Sequence, residues 1–165
     1  MLTRPPSQSR FRAFAGLTAL ALAAVPGPVT ANTGGTMTVS ATVLPTCNLQ
    51  AGAMAFGALD SARVTGAAQA PVTLECTPGT AYAVTMDQGL HGGRRMADER
   101  GAAFLDYEIY QDAAGTMPWG ATAGGAVSGV APRAGKVALS AYGRVLSATA
   151  TPGRYQDVVT VTVEF

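Results

Sequence analysis

Apolar and polar residues alternate one for one through much of the chain beyond residue 36. A period of two puts one set of side chains on the buried face of an extended strand and the other set in solvent. Residues 36–44 (TMTVSATVL) place Met37, Val39, Ala41 and Val43 on one side and Thr38, Ser40 and Thr42 on the other. The same pattern runs through Met54 and Phe56 in 53–57, Val72, Leu74 and Cys76 in 71–77, and Tyr82, Val84 and Met86 in 80–87. It returns with Leu105, Tyr107 and Ile109 in 103–111, with Val137 and Leu139 in 136–146, and with Val159, Val161, Val163 and Phe165 in 154–165. No window sustains the i, i+3, i+4, i+7 apolar spacing of an amphipathic helix. Gly and Pro punctuate the segments as turns do. Six core strands behind one N-terminal strand predict an all-β, immunoglobulin-like sandwich. Residues 89–101 read as a polar connection. Residues 112–135, rich in Gly and Ala with Trp119 inside, read as a long connection with room for one short strand.

The two ends of this pattern belong together. The final strand, DVVTVTVEF, keeps its alternation to Phe165, and no returning strand follows it in the sequence. A sandwich built this way is expected to be incomplete, lacking its last strand. It would expose unpaired backbone and an apolar cleft bordered by Val159, Val161, Val163 and Phe165. Residues 32–36 (NTGGT) form a polar, Gly-containing leader ahead of the alternating 37–43 segment, and Pro45 breaks the chain before Cys47. Such a strand can reach into a neighbour's cleft, adding main-chain hydrogen bonds and burying alternate side chains. Burial of Met37, Val39, Ala41 and Val43 would contribute roughly 5–9 kcal/mol before ordering costs. The contact is head-to-tail and builds an open chain rather than a ring. The other reading has 37–43 folding back as the first strand of its own domain. The pattern alone does not distinguish the two.

Residues 1–31 have the layout of a cleavable secretory signal: Arg4, Arg10 and Arg12, an uncharged apolar run from Ala13 to Val25, then Pro26-Gly27-Pro28 and the small residues up to Ala31. The apolar run is too short to span a bilayer comfortably. The expected organisation is thus a signal peptide at 1–31, a leader and donor strand at 32–44, and one sandwich domain at 45–165. The whole chain has 11 basic and 10 acidic residues. Without the three leading arginines the balance turns slightly acidic, and nothing in it suggests nucleic acid as a partner. Cys47 and Cys76 are the only cysteines. An even count in an exported chain predicts a disulfide between them. Closing that loop stabilises the fold by roughly 3–4 kcal/mol in the chain-entropy picture.

The stock of catalytic side chains is poor. His91, the only histidine, sits in the polar Gly-rich run LHGGRR and reads as a surface residue. Two cysteines and one histidine cannot supply a zinc set. No G-x-S-x-G elbow is present. Asp98-Glu99 read as solvated loop acids. Asp106 and Glu108 alternate with the apolar face and are expected to face solvent. Tyr107, Tyr110, Trp119, Tyr142 and Tyr155 read as core or corner residues, with Tyr155 a candidate corner tyrosine whose hydroxyl bonds backbone. No catalytic residue, cofactor, metal or small-molecule substrate is expected.

A set of ordered landmarks spans residues 36–165: TVLPTC ending at Cys47, Phe56-Gly57, LECTPGTAYAV around Cys76, Gly89, Arg95-Met96, LDYEIYQD at 105–112, Trp119-Gly120, Tyr142-Gly143-Arg144 and GRYQDVVTVTVEF at 153–165. In this order they resemble spore coat protein U (SCPU) domain proteins, which include the subunits of archaic, Csu-type chaperone–usher pili. The resemblance implies an incomplete sandwich with a Cys47–Cys76 disulfide. It implies a periplasmic chaperone, an outer-membrane usher, and donor-strand exchange between subunits into adhesive surface fibres linked to biofilm formation. It implies Met37, Val39, Ala41 and Val43 as donor residues and Val159, Val161, Val163 and Phe165 as the acceptor edge. A spore-coat or matrix role, or a self-complemented monomeric binding module, is the alternative.

Overall fold

The computed structural model describes residues 27–165 apart from positions 63 and 148. Most of the expected signal segment, 1–26, lies outside the described residues. The chain divides into two units, Met1–Ser40 and Ala41–Phe165. The described part of the first forms no strand and is exposed.

Among the described residues the second unit carries nine strands: β1 (Cys47–Ala51), β2 (Gly66–Cys76), β3 (Ala81–Met86), β4 (Arg95–Asp98), β5 (Phe104–Tyr110), β6 (Val127–Val130), β7 (Lys136–Val145), β8 (Tyr155–Gln156) and β9 (Val161–Glu164), with one 3-10 turn at Ala123–Gly125. A six-stranded sheet has the order β1-β2-β7-β5-β4-β8, and a three-stranded sheet the order β6-β3-β9. Every pairing is antiparallel. The longest ladder, β2 with β7, runs from Gly66↔Val145 to Glu75↔Lys136. The all-β, immunoglobulin-like architecture agrees with the sequence reading.

The alternation decides which faces meet. β2 turns Ala70, Val72, Leu74 and Cys76 inward, β3 Val84 and Met86, β5 Leu105, Tyr107 and Ile109. Trp119 fills the space between the sheets at 1% exposure. Its indole N–H donates to Val84 O (2.8 Å) and its backbone N–H to Ile109 O (2.8 Å). These bonds fasten the long 112–126 connection. Arg144 adds a second anchor, donating to Ala113 O (2.9 Å) and Ala114 O (2.7 Å). Cys47 and Cys76 form the disulfide.

Several elements differ from the alternation reading. The strand near the start of the domain is Cys47–Ala51 rather than 53–57; Met54 and Phe56 still turn inward, from chain that pairs with no strand. Residues 37–43 form no strand. The polar 89–101 connection contains β4, whereas β6 is the short strand for which the 112–135 connection had room. The single terminal strand is two: β8 pairs with β4 in the large sheet, and β9 with β3 in the small one. Glu108, expected in solvent, is half-buried, with a carboxylate oxygen 3.8 Å from Nε of Arg94.

Candidate functional site

The described residues form an apolar groove of about 1120 Å³. Val72, Met86, Ile109 and Ala141, all buried, form its floor. Residues 51–59 form one wall, and 150–159 with Val161 the other.

The first wall originates at Pro71. β1 pairs with β2 only as far as Ala51↔Val72. The next position on β2 is Pro71, which has no N–H to offer a partner strand. Its carbonyl still accepts from Gly52 N (2.8 Å), and beyond that bond the chain leaves the sheet. Met54 and Phe56 then pack over Gly143 of β7, where a Cβ would collide with the Met54 sulfur and lie 2.8 Å from the Phe56 ring. Gly143, one of the sequence landmarks, is therefore the space into which this wall folds.

The second wall is the crossing between β8 and β9. Its side-chain alternation runs unbroken from Tyr155 to Val163 while its backbone changes partners. Two carboxylates hold the crossing. Asp157, with only 3% of its side chain exposed, accepts from the Tyr107 hydroxyl (2.6 Å), Leu90 N (3.0 Å) and His91 Nδ1 (3.1 Å). Asp87 accepts from Gly89 N (2.9 Å) and Thr160 N (2.9 Å), and Asp87 N donates to Thr160 O (3.0 Å). Gly89, at φ 79°, keeps the turn close to Asp157; a Cβ there would overlap that carboxylate. Burial, together with the Asp157 carboxylate, pushes the Tyr107 pKa well above its ordinary value, so the hydroxyl stays a donor. For Asp87 the largest influence is burial, which raises its pKa. Hydrogen bonds from Thr160 and Gly89 and the charge of Arg94 outweigh it, and the net shift is downward.

The edge above the groove is unpaired. β9 lies at the margin of its sheet, bonded only to β3 among the described residues. The Asp87–Thr160 bonds show that even-numbered residues of this strand turn their backbone groups toward β3. Val159, Val161 and Val163 therefore turn theirs to the open side, the same residues whose side chains face inward. All three remain half-exposed, as a strand does when a neighbour is missing. A strand laid here would meet a row of N–H and C=O groups above an apolar floor.

The predicted site residues fall as follows. Val159 and Val161 line the groove and Val163 packs against the core beside them. Phe165 lies past the end of β9 and is 57% exposed. Met37, Val39 and Val43 are 85–89% exposed, and Ala41 is exposed too. Tyr155 behaves as a corner tyrosine, its hydroxyl donating to Thr151 O (2.7 Å). The His91 ring bonds Asp157, and no serine joins them among the described residues. Asp157 escaped the sequence reading, yet a signal was present: it is an acid at an inward position of an otherwise apolar alternation. Arg94 carried no such signal. It is buried at 2% exposure with φ 58°, donating to Trp119 O (2.8 Å) and Met86 O (3.4 Å).

Comparison with known proteins adds a family match and structural matches. The family model described as Spore Coat Protein U domain matches residues 33–162. One chain of the crystal structure of the CsuC–CsuE chaperone–tip adhesion subunit pre-assembly complex, from the archaic chaperone–usher Csu pili of Acinetobacter baumannii, matches with a TM-score of 0.58 and 26% identity. The match covers 75% of this chain and 41% of that one, so the present chain corresponds to less than half of its structural relative. No curated protein matches.

Proposed function

The chain belongs to the Spore Coat Protein U domain family, and from that premise we propose that it is a non-enzymatic structural subunit of a secreted surface fibre of the archaic chaperone–usher type. Subunits join by donor-strand exchange. The leader of one copy, Met37, Val39, Ala41 and Val43 facing inward, lies in the groove of the next and pairs with the open edge of β9. The observation that carries the reading is that edge: Val159 and Val161, which line a large apolar groove, and Val163 beside them present backbone groups that no strand pairs among the described residues. An exposed apolar furrow beside an unpaired strand is an aggregation hazard unless something covers it. The exposed alternating leader supplies matching chemistry: one apolar face and a backbone that forms no strand among the described residues.

Residues 1–31 serve as the export signal, 32–44 as the leader and donor strand, and 45–165 as the acceptor domain. A periplasmic chaperone covers the groove before assembly, and an outer-membrane usher passes subunits to the surface. The partners are copies of this chain or sibling subunits, and the fibre serves adhesion and biofilm formation.

The test is size analysis of the mature chain with and without residues 32–43, expressed together with its chaperone. The intact chain should give a ladder of heat-sensitive multimers, and the truncated chain a chaperone-bound monomer. Polymers from the truncated chain would refute strand donation. A chaperone-free monomer from the intact chain would favour the self-complemented binding module.

A further inference from the structure

We propose that the Cys47–Cys76 disulfide is a tension clamp that passes pulling force from the leader past the edge strand directly into β2, the longest strand of the large sheet. The inference rests on the strand-exchange reading, because only in a fibre is the leader pulled. Its basis is the position of the bond. Residues 27–46 form no strand, and Cys47 is the first residue of β1. Force arriving along a leader seated in a neighbour therefore enters the domain at Cys47. The first ladder pair of β1 with β2 is Cys47↔Cys76, and the disulfide lies in that pair.

Without the bond, β1 would be a poor attachment. It is an edge strand of five residues, held on one side by β2 alone. A strand pulled from its end gives way pair by pair from that end, and among the described residues the only additional ties at the root are Thr46 N to Thr77 Oγ1 (3.1 Å) and Thr77 N to Thr46 O (2.9 Å). The covalent bond at the first pair bypasses this ladder. Tension passes to Cys76 at the end of β2, an 11-residue strand zipped along nearly its whole length to β7. Were the same bond at Ala51↔Val72, four pairs would peel before it tightened. On the other side of the domain, force leaves through β9, which belongs to the other sheet. Tension thus crosses the packed core between sheets, where Val72, Leu74 and Cys76 meet Val84 and Met86.

The experiment holds assembled fibres at constant tension in a thiol reductant, with slack fibres in the same solution. A reductant thiolate attacks one sulfur, the S–S bond breaks, and the second sulfur leaves as thiolate; a second reductant thiol then releases the first as a disulfide of the reductant. The S–S bond lengthens as it breaks, so a disulfide under tension is reduced faster. Alkylation of the freed Cys47 and Cys76 thiols gives the rate. The clamp predicts at least tenfold faster reduction in stretched than in slack fibres, and at least a tenfold shorter fibre lifetime under load once reduced. Equal rates, including no reduction in either sample, overturn the clamp and leave strand exchange standing. Failure to form any fibre overturns both.

Discussion

Tyr107 on β5 donates its hydroxyl to Asp157 across 2.6 Å, tying the large sheet to the point where the last strand crosses to the small one. Asp157 accepts two further bonds there, from Leu90 N and His91. An asparagine keeps the shape, but its amide nitrogen donates where the carboxylate accepted, so one buried donor loses its partner. Asp157→Asn should destabilise the mature chain by about 1–3 kcal/mol. Trp119, the only tryptophan and fully buried, gives the fluorescence readout. His91→Ala should cost less than about 1 kcal/mol, since that side chain is 31% exposed and Asp157 retains its other two donors. Equal losses from the two variants would contradict this account of the crossing.

Stability should fall in acid. The folded state holds the pKa of Asp87, Asp98 and Asp112 below the ordinary aspartate range. Asp98 is held down first by the Ala103 backbone N–H and Asp112 by that of Met117. A depressed carboxylate contributes stability that is fully present above its unfolded pKa and is lost as pH falls through the folded one. The melting temperature should hold near neutral pH and drop below about pH 4. Asp112→Asn should lower it at pH 7 and flatten part of the acid slope. An unchanged slope would remove Asp112 from the explanation.

Gly143→Ala tests the groove wall. The added methyl would meet Met54 and Phe56, which pack over that position. Overpacking of this kind costs typically 1–3 kcal/mol. Shortening the side chain above it should return part of the loss, so Gly143→Ala with Met54→Ala should be less destabilised than the two single effects summed. Strict additivity would mean that the wall does not rest on Gly143.

The sandwich class was legible because period two reports which side chains face inward, and β2, β3 and β5 carry long unbroken versions of it. The same signal is silent about partners. From Tyr155 to Val163 the alternation continues while the backbone moves from one sheet to the other, so one terminal strand was the natural reading of β8 and β9. β1 (CNLQA) and β4 (RMAD) are short edge or near-edge pieces with few inward apolar residues, and they escaped for that reason. Of the candidate site, Val159, Val161 and Val163 could be read directly. The opposite wall could not, because it depends on a long-range event: β1 loses its partner at Pro71, twenty residues further along the chain.

The proposed head-to-tail contact has a more demanding test than deletion, because it needs one sound leader and one sound groove from different copies. Val39→Asp places a charge on the inward face of the leader and leaves the acceptor domain unaltered. Val161→Asp places one on the groove wall, at a half-exposed position where the carboxylate can reach water, and leaves the leader unaltered. Burying either charge in the joined state is prohibitive, so each variant alone should give monomers. When the two are mixed, the leader of the Val161→Asp copy can enter the groove of the Val39→Asp copy. The resulting pair has only a charged leader and a charged groove left to offer, so growth must stop at the dimer. Sedimentation of the chaperone-delivered mixture should show dimers and nothing larger. A self-complemented monomer predicts no dimer at any ratio, and nonspecific association of apolar edges predicts a broad ladder.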